Sequence, residues 1–341
     1  MVPLKGACAH FRLKPRCEQT APFTQIFALF CLVLLLGGCA RREPALPSAL
    51  EQVEDSGVEL SETVFFPQKA YQCGPAALAT LLVHGGKDVS PDDLTGKIFL
   101  PEREGSLQME LVAAVRAYDL IPYLIEPSLS ILLAELRAGR PVLVLQNVGL
   151  ASIPQYHYAV VIGYATDDDT IILRSGTERR QIVSARRFLE SWQQAGGWAM
   201  LALRPGEMPA NPDQYRYLET VTILEEIGQF ETALSGYQAA FRFWPDLDSA
   251  LLGIGNCYYG LVELVAAGDA YRRLTEQFPE NIVAYNNLAH VLGVLGQYAE
   301  ALTVIERGER LVEGRGPAQQ MFEQTRDEVL IRRALEESSE E

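Results

Sequence analysis

Gln68 and Cys73 are the two side chains of this sequence whose types and spacing best suit chemistry. Gly74 and Pro75 follow the cysteine and precede the apolar run 76–83. Because proline favours the first turn of a helix, this order predicts a helix that starts at Cys73. A thiol at the positive end of a helix dipole ionises more readily, so its pKa falls. With an amide donor five residues upstream, the segment predicts a nucleophilic cysteine.

A cysteine nucleophile needs a base, and the sequence contains four histidines. His10 belongs to an N-terminal segment that we expect to be removed, and His290 lies in a predicted helical repeat. His84 follows Cys73 on the same predicted helix, roughly 16 Å away along an axis that rises ~1.5 Å per residue. His157, at the start of a predicted strand, therefore remains as the base. A helix-start cysteine and a strand-borne histidine form the papain-like arrangement of nucleophile and base.

The elements that must position these side chains have the pattern of an α+β domain over 61–207. Besides the helix after Cys73, helices are predicted over 91–96, 107–118 and 130–138. Strands are predicted over 122–125, 142–145, 156–164 and 170–174. Helices therefore come mainly first, and an antiparallel sheet follows them.

An internal period of 34 residues begins near Asn211. Trp244-Pro245 recurs as Phe278-Pro279. Small residues recur at the same spacing at Gly255 and Ala289, and at Ala233, Ala267 and Ala301. This pattern resembles tetratricopeptide repeats, with three units in an all-α array over 211–315 and a polar capping helix and acidic tail over 316–341. The resemblance implies that the array binds a protein partner or braces the neighbouring domain.

The N-terminus is a predicted targeting segment. The apolar run 26–36 is too short to span a bilayer comfortably, and basic residues precede it at Lys5, Arg12, Lys14 and Arg16. The run ends in Leu36-Gly-Gly-Cys39, which resembles the lipobox of bacterial lipoproteins. The resemblance implies a signal peptide over 1–38, a lipid on Cys39 and a flexible tether over 39–60. No aspartate follows Cys39, which favours a periplasm-facing protein of the outer membrane; an ordinary secretory signal is the alternative.

Four motifs surround the candidate pair. Gln68 precedes Cys73-Gly-Pro-Ala-Ala-Leu, Gly105-Ser-Leu-Gln starts a helix, Gly139-Arg-Pro-Val-Leu-Val leads into a strand, and His157-Tyr-Ala-Val-Val-Ile-Gly-Tyr forms the next strand. Together they resemble the bacteriocin-processing, double-glycine leader peptidase family, in its stand-alone lipoprotein branch. The resemblance implies that Cys73 is the nucleophile, that His157 is the general base, and that Gln68 donates to the oxyanion beside the backbone N–H of Cys73. It also implies a peptide or protein substrate, cleaved after small residues such as Gly-Gly.

The sequence departs from this family at the group that orients the histidine. Family members carry an aspartate on the following strand, whereas this sequence has Ile172-Leu-Arg-Ser-Gly176 there, and the carboxylates of Asp167–Asp169 lie at a predicted hairpin tip. Ser175, Asn147 or a backbone carbonyl are the alternatives, because the third group only has to accept a hydrogen bond and fix the tautomer. Weak or lost activity is equally consistent with this departure.

Composition and charge exclude several classes of protein. The 341 residues are 48% apolar and 21% charged, which excludes a largely disordered chain. A net charge of −15, with no basic stripe after the first fifty residues, excludes a nucleic-acid partner. Three of the six cysteines leave with the signal peptide and Cys39 is lipidated, so Cys73 and Cys257 remain, and a bridge between them is not favoured. No histidine or cysteine pair has ligand spacing, so we predict neither metal nor cofactor.

The leading hypothesis is a lipid-anchored periplasmic cysteine peptidase whose repeats recruit a substrate or partner. Two alternatives stay open. The same thiol chemistry also serves acyl transfer or the deamidation of glutamine. Without the aspartate, the chain is also consistent with an inactive lipoprotein that captures a peptide and assembles partners.

Overall fold

The structure, a computed structural model, describes residues 50–51, 53–68, 72–99, 105–312 and 316–340. The predicted signal peptide, Cys39 and most of the predicted tether lie outside these ranges. Across the described ranges, no helix is both long and apolar enough to cross a bilayer.

One antiparallel sheet organises the first part of the chain. Its seven strands are β1 Gly57–Glu59, β2 Ile121–Leu124, β3 Val142–Asn147, β4 Tyr156–Ala165, β5 Thr170–Ser175, β6 Glu178–Ser184 and β7 Ala199–Leu203. Their order is β2-β7-β3-β4-β5-β6, and β1 pairs with the C-terminal end of β4. Strands β6 and β7 lie beyond the strands that the sequence pattern predicted.

Strand β1 corrects the predicted extent of the tether. The tether was assigned to 39–60, yet Gly57 lies opposite Ala165 in the sheet. Just before the strand, the Asp55 carboxylate accepts a hydrogen bond of 2.7 Å from the Tyr164 hydroxyl and pairs with Arg137 at 2.6 Å. The last residues of that segment therefore belong to the folded domain, because backbone pairing and an ion pair both hold them.

Three helices, α1 Cys73–His84, α2 Pro91–Ile98 and α3 Gln108–Ala117, pack on one face of the sheet. Helix α2 begins with a capping box in which Ser90 and Asp93 bond to each other's backbone N–H, and Pro91 occupies its first turn. The core on this face, here the thiol-side core, includes Leu78, Leu81, Leu82, Leu111, Val115, Tyr158, Val160 and Ile162.

Helices α4 Leu129–Arg137 and α5 Ala185–Gln194 pack on the opposite face. The core there includes Leu132, Leu136, Val142, Val144, Ala159, Val161, Phe188 and Trp192. With an antiparallel sheet covered by helices, the predicted α+β class is confirmed.

The rest of the described chain is helical, as the repeat pattern predicted. Its helices are α6 Gln214–Glu226, α7 Phe230–Phe243, α8 Asp248–Gly260, α9 Leu264–Gln277, α10 Ile282–Val294, α11 Tyr298–Val312 and α12 Gly316–Glu340. The recurrent alanines Ala233, Ala267 and Ala301 are fully buried. A methyl group added to Gly255 would overlap the Tyr271 ring, so the close approach of α8 and α9 requires glycine. The predicted acidic tail continues α12 as helix through Glu340.

The two regions share one hydrophobic core, which runs from the sheet into α6, α7 and α8. Thr220 of α6 donates a hydrogen bond of 3.3 Å to the carbonyl of Pro122 in β2. The Tyr123 hydroxyl accepts one of 3.0 Å from the backbone N–H of Asp213, the residue before α6. The helical region is therefore packed directly on an edge strand of the sheet.

Candidate active site

Cys73 is the first residue of α1 and is half-buried. The first N–H groups of a helix have no acceptor inside the helix, so they point toward any negative charge that develops at this end. Cys73 lines a cavity of about 700 Å³ with Ser106, Leu107, Tyr156 and Tyr158. Helix and cavity together give the thiol the surroundings expected of a nucleophile.

Tyr158 is the aromatic neighbour of this thiol. Its hydroxyl donates to the Ser106 carbonyl at 3.3 Å, and its ring packs edge-on against Trp198. Burial, with a smaller effect of the neighbouring Cys73, raises the pKa of Tyr158 well above its ordinary value. Gly74 lets Ser106 approach the helix, since a methyl group at Gly74 would lie 2.6 Å from the Ser106 Oγ. Ser106 belongs to the Gly105-Ser-Leu-Gln motif, to which the sequence assigned no chemical role, and its buried hydroxyl has no hydrogen-bond partner in the described part of the chain.

His157 is the second residue of β4 and lines a different cavity, of about 710 Å³. Its Nε2 lies 3.0 Å from the Ser175 Oγ of β5, in hydrogen-bond contact. Burial lowers the pKa of His157 below its ordinary value. The ring is therefore mainly neutral at pH 7, with one nitrogen held and Nδ1 left for proton transfer.

The structure does not join the two predicted partners directly. Successive residues of a strand face opposite sides of the sheet, so His157 shares a side with Ala159 and Val161, whereas Tyr158 faces the thiol-side core. Cys73 packs against that thiol-side core. Across the described residues, no hydrogen bond links Cys73 to His157.

Gln68 lies at the same ends of β4 and β5 as the histidine and the serine. Its Nε2 donates to the Tyr158 carbonyl at 3.4 Å, and its backbone N–H donates to the Gly176 carbonyl at 2.9 Å. These bonds hold Gln68 beside the residues that follow His157 and Ser175. Its second amide hydrogen is left for another acceptor.

Asn147, the other side chain that the sequence suggested for orienting the histidine, instead binds the backbone of a loop. Its Oδ1 accepts the backbone N–H groups of Gly149 and Gln155 at 3.1 and 2.9 Å, which ties the loop between β3 and β4. Its Nδ2 donates to Gln194 at 3.4 Å. Of the alternatives that the sequence offered, Ser175 is therefore the one in contact with the ring.

No group of three or more metal-ligating side chains occurs in the described ranges. Cys257, the second free cysteine that the structure describes, is buried in α8. Burial, with a smaller effect of the Glu225 charge, raises the pKa of Cys257 to about 12. That thiol is inert at neutral pH, which leaves Cys73 as the candidate nucleophile.

Comparison with known protein families gives a match in each of the two regions. Residues 60–200 match the Peptidase_C39 like family, and residues 270–303 match the tetratricopeptide repeat. No curated protein matches the chain.

Solved structures with some similarity include two peptidases and MamA. A C39-like peptidase from Bacillus anthracis is 20% identical, with 44% of this chain and 98% of that chain covered and a TM-score of 0.38. The peptidase domain of Streptococcus ComA, a bifunctional ABC transporter, is 21% identical, with 42% and 98% covered and a TM-score of 0.35. MamA is 20% identical, with 38% and 80% covered and a TM-score of 0.30.

The first match covers most of the helix-covered sheet, and the second lies within α9, α10 and α11 of the helical region. The chain thus carries a Peptidase C39-like domain followed by a helical region with a tetratricopeptide repeat.

Proposed function

We propose that this protein is a cysteine peptidase that hydrolyses a peptide bond of a peptide or protein substrate, with Cys73 as nucleophile and His157 as base. The observation that carries the proposal is the 3.0 Å contact between His157 Nε2 and Ser175 Oγ. It fixes one nitrogen of a half-buried imidazole whose lowered pKa favours the neutral form, while the thiol lies at the start of a helix.

The reaction begins with proton transfer from the Cys73 thiol to Nδ1 of His157. The sulfur then attacks the carbonyl carbon, and the oxygen of that carbonyl takes the negative charge. The Gln68 amide and the backbone N–H of Cys73 donate to this oxygen, and one such donor is typically worth about 10²-fold in rate. The imidazolium protonates the leaving amine, and water activated by the same ring hydrolyses the thioester.

Tyr156 and Tyr158, the residues on either side of His157, line the Cys73 cavity, so the thiol and the imidazole lie at the same end of β4 although they face different sides of the sheet. The proposal requires the two groups to meet around this end of the strand when substrate binds. Catalytic hydrogen bonds are often long in unliganded enzymes and tighten in the substrate complex. The cavity beside Cys73 is lined by Ser106 and by the exposed side chains of Leu107 and Tyr156, which suit an extended peptide. A peptide seated there is the element that we expect to complete the pair.

Labelling with an electrophilic peptide probe tests the proposal. We expect wild type to be labelled once and Cys73→Ala not at all. Cys257→Ala is the matched control, because it removes a buried thiol of raised pKa and should label like wild type. Equal labelling of wild type and Cys73→Ala would contradict a nucleophilic role for this residue.

A further part of the proposal concerns the N-terminus, where Cys39 is the lipid attachment site of a periplasm-facing outer-membrane lipoprotein. The Leu36-Gly-Gly-Cys39 sequence supports it. Labelled fatty acid should be incorporated into wild type and not into Cys39→Ser, and the protein should fractionate with outer membranes. Incorporation into both would show that the lipid is attached elsewhere.

The second candidate function is capture of a peptide without cleavage. The structure favours it at one point, because Cys73 and His157 line separate cavities. In that case the peptide probe binds equally to wild type and to Cys73→Ala, and mass spectrometry finds no shortened product. Product formation by wild type alone selects the peptidase.

A further inference from the structure

A second cavity lies in the helical region, away from the sheet. Its volume is about 390 Å³, and its lining includes Glu225 of α6, Asn256 and Tyr259 of α8, Tyr271 of α9 and Asn287 of α10. Phe230, at the start of α7, lines it as well. We call it the helical cavity.

Glu225 supplies the charge of this cavity. Its Oε2 accepts a hydrogen bond of 2.6 Å from the Tyr237 hydroxyl, and its Oε1 accepts one of 2.8 Å from the Asn256 amide. These bonds fix the carboxylate in place. Within the described part of the chain, neither an arginine nor a lysine forms an ion pair with it, and neither residue type lines the cavity.

The charge of Glu225 affects the ionisation of two neighbouring tyrosines. Together with burial, it raises the pKa of the neighbouring Tyr237 and Tyr271 hydroxyls. A half-buried carboxylate without a cationic partner offers a charged acceptor to a cation. Hydrogen bonds between a carboxylate and an ammonium or guanidinium group are stronger than those between neutral groups.

The rest of the lining suits a cation with an apolar stem. The rings of Phe230, Tyr259 and Tyr271 border the space, and aromatic faces attract ammonium and guanidinium groups. The Asn287 amide offers a carbonyl oxygen to an N–H donor. On the rim, His290 contacts the Tyr259 hydroxyl at 3.0 Å and the Glu328 carboxylate at 3.2 Å, which adds a second acidic group.

We propose that the helical cavity binds a basic side chain, arginine or lysine, from a segment of a partner protein. The lining provides a carboxylate for the charge, rings for the stem and amides for the backbone of the segment. The net charge of −15 favours the approach of a basic partner. This binding does not depend on the Cys73 thiol, so it can be tested independently of the proposed peptidase activity.

Fluorescence anisotropy tests the proposal on the full chain carrying Cys73→Ala, which prevents cleavage of the probe. The probe is a labelled Gly/Ser peptide of about twelve residues with two arginines, and its counterpart has glutamine in their place. We expect the arginine peptide to bind about tenfold more tightly, and less tightly as salt is added. Equal affinities for the two peptides would overturn the proposal.

Two variants locate the site. Glu225→Gln keeps an acceptor for its neighbours but loses the charge. Its affinity for the arginine peptide should be about tenfold lower than that of the parent. Glu226→Gln, its exposed neighbour on α6 outside the cavity, makes the same charge change and should have little effect. Equal losses in both would mean that only the general acidity of the chain attracts the peptide.

Thermal melting shows whether Glu225→Gln is folded. If it is destabilised, Tyr259→Leu carries the test, because that ring is 42% exposed and can be removed with little effect on the core. Weaker binding of the arginine peptide supports the site. Unchanged binding by Tyr259→Leu contradicts it.

Discussion

At the scale of single residues, the main feature of the candidate site is that the histidine contacts a hydroxyl group and not a carboxylate. Ser175 contacts His157 Nε2 but brings no negative charge, so burial alone sets the pKa of the ring and lowers it. A carboxylate in the same place would favour the imidazolium and raise that pKa. The serine therefore orients the base without stabilising its charged form.

Ser175→Asp should move the acid limb of the pH profile to higher pH. In wild type the ring is neutral above its lowered pKa, so kcat/KM should fall only below about pH 6.5, the ordinary histidine value. With aspartate at position 175 the ring becomes protonated at higher pH. As the pH is lowered, kcat/KM should therefore begin to fall at a higher pH than in wild type. Steady-state kinetics between pH 4 and 8 measures the shift.

Thr177→Asp is the control for this prediction, since Thr177 lines the same cavity but is exposed and does not contact the ring. It should leave the acid limb nearly in place. Ser175→Ala should keep the wild-type limb and lose roughly tenfold or more in kcat/KM, because the ring is no longer oriented. Equal profiles for all three variants would mean that Ser175 does not position His157.

At the scale of secondary-structure elements, buried polar groups hold the connection between the sheet and the helices. Glu135 of α4 is fully buried, pairs with Arg140 at 2.6 Å, and accepts the backbone N–H of Ala210 at 2.8 Å. Ala210 lies in the segment that leads into α6. The Glu135 carboxylate is thus one of the groups that tie this segment to the first domain.

Glu135→Ala should destabilise the protein by about 3 kcal/mol, because it removes the fully buried partner of Arg140 and leaves only the longer 3.5 Å ion pair with Glu207. Denaturant titration measures the change. Glu190→Ala is the control, because it removes an ion pair of similar length, 2.9 Å to Arg186, that is exposed to solvent. The loss in the free energy of unfolding should be less than about 1 kcal/mol. A comparable loss in both variants would show that burial of the Glu135 pair is unimportant.

Two glycines of the helical region should respond to alanine with opposite signs. Gly255→Ala puts a methyl group into the Tyr271 ring, so we expect a loss of about 1–3 kcal/mol. Gly268→Ala, inside α9, puts its methyl group 3.5 Å from Val291, an ordinary contact, and should gain up to about 1 kcal/mol from helix propensity. Thermal melts of the two variants check both signs, and a gain for Gly255→Ala would contradict close packing of α8 on α9.

At the scale of the whole molecule, the helical region is part of the same folded unit as the peptidase-like domain. Tyr217, Val221 and Leu224 of α6 are fully buried in the core that also contains Ile121 and Tyr123 of β2. An edge strand is thereby covered, which protects it from pairing with other chains. The two regions should therefore unfold together.

Leu224→Ala tests this cooperativity. It should cost about 2–5 kcal/mol and lower the melting temperature of both regions equally. Hydrogen exchange in β2 and in α8 reports on each region within one sample. Loss of protection in α8 alone, with β2 unchanged, would show that the regions unfold independently.

The sequence by itself determined the local features of this protein. Proline after Cys73 starts α1, a continuous apolar run after His157 places it on a buried strand, and the 34-residue period marks positions such as Ala267 that must be buried. Each of these features depends on residues that are close in sequence, so the spacing of residue types is enough to predict it. Strand β1 escaped prediction because its partner β4 lies far along the chain, whereas α5 has a local signal, an N-cap at Ser184 and a buried face with Phe188 and Trp192.

Only the tertiary structure decided which residue contacts His157 and which face of the sheet each candidate side chain occupies. Ser175 and Asn147 were equivalent in sequence, yet one meets the imidazole and the other ties a loop. The difference depends on the register between β4 and β5, which shifts between Val161 and Gly163. A shift of one residue exchanges the faces of a strand, and no local pattern records it.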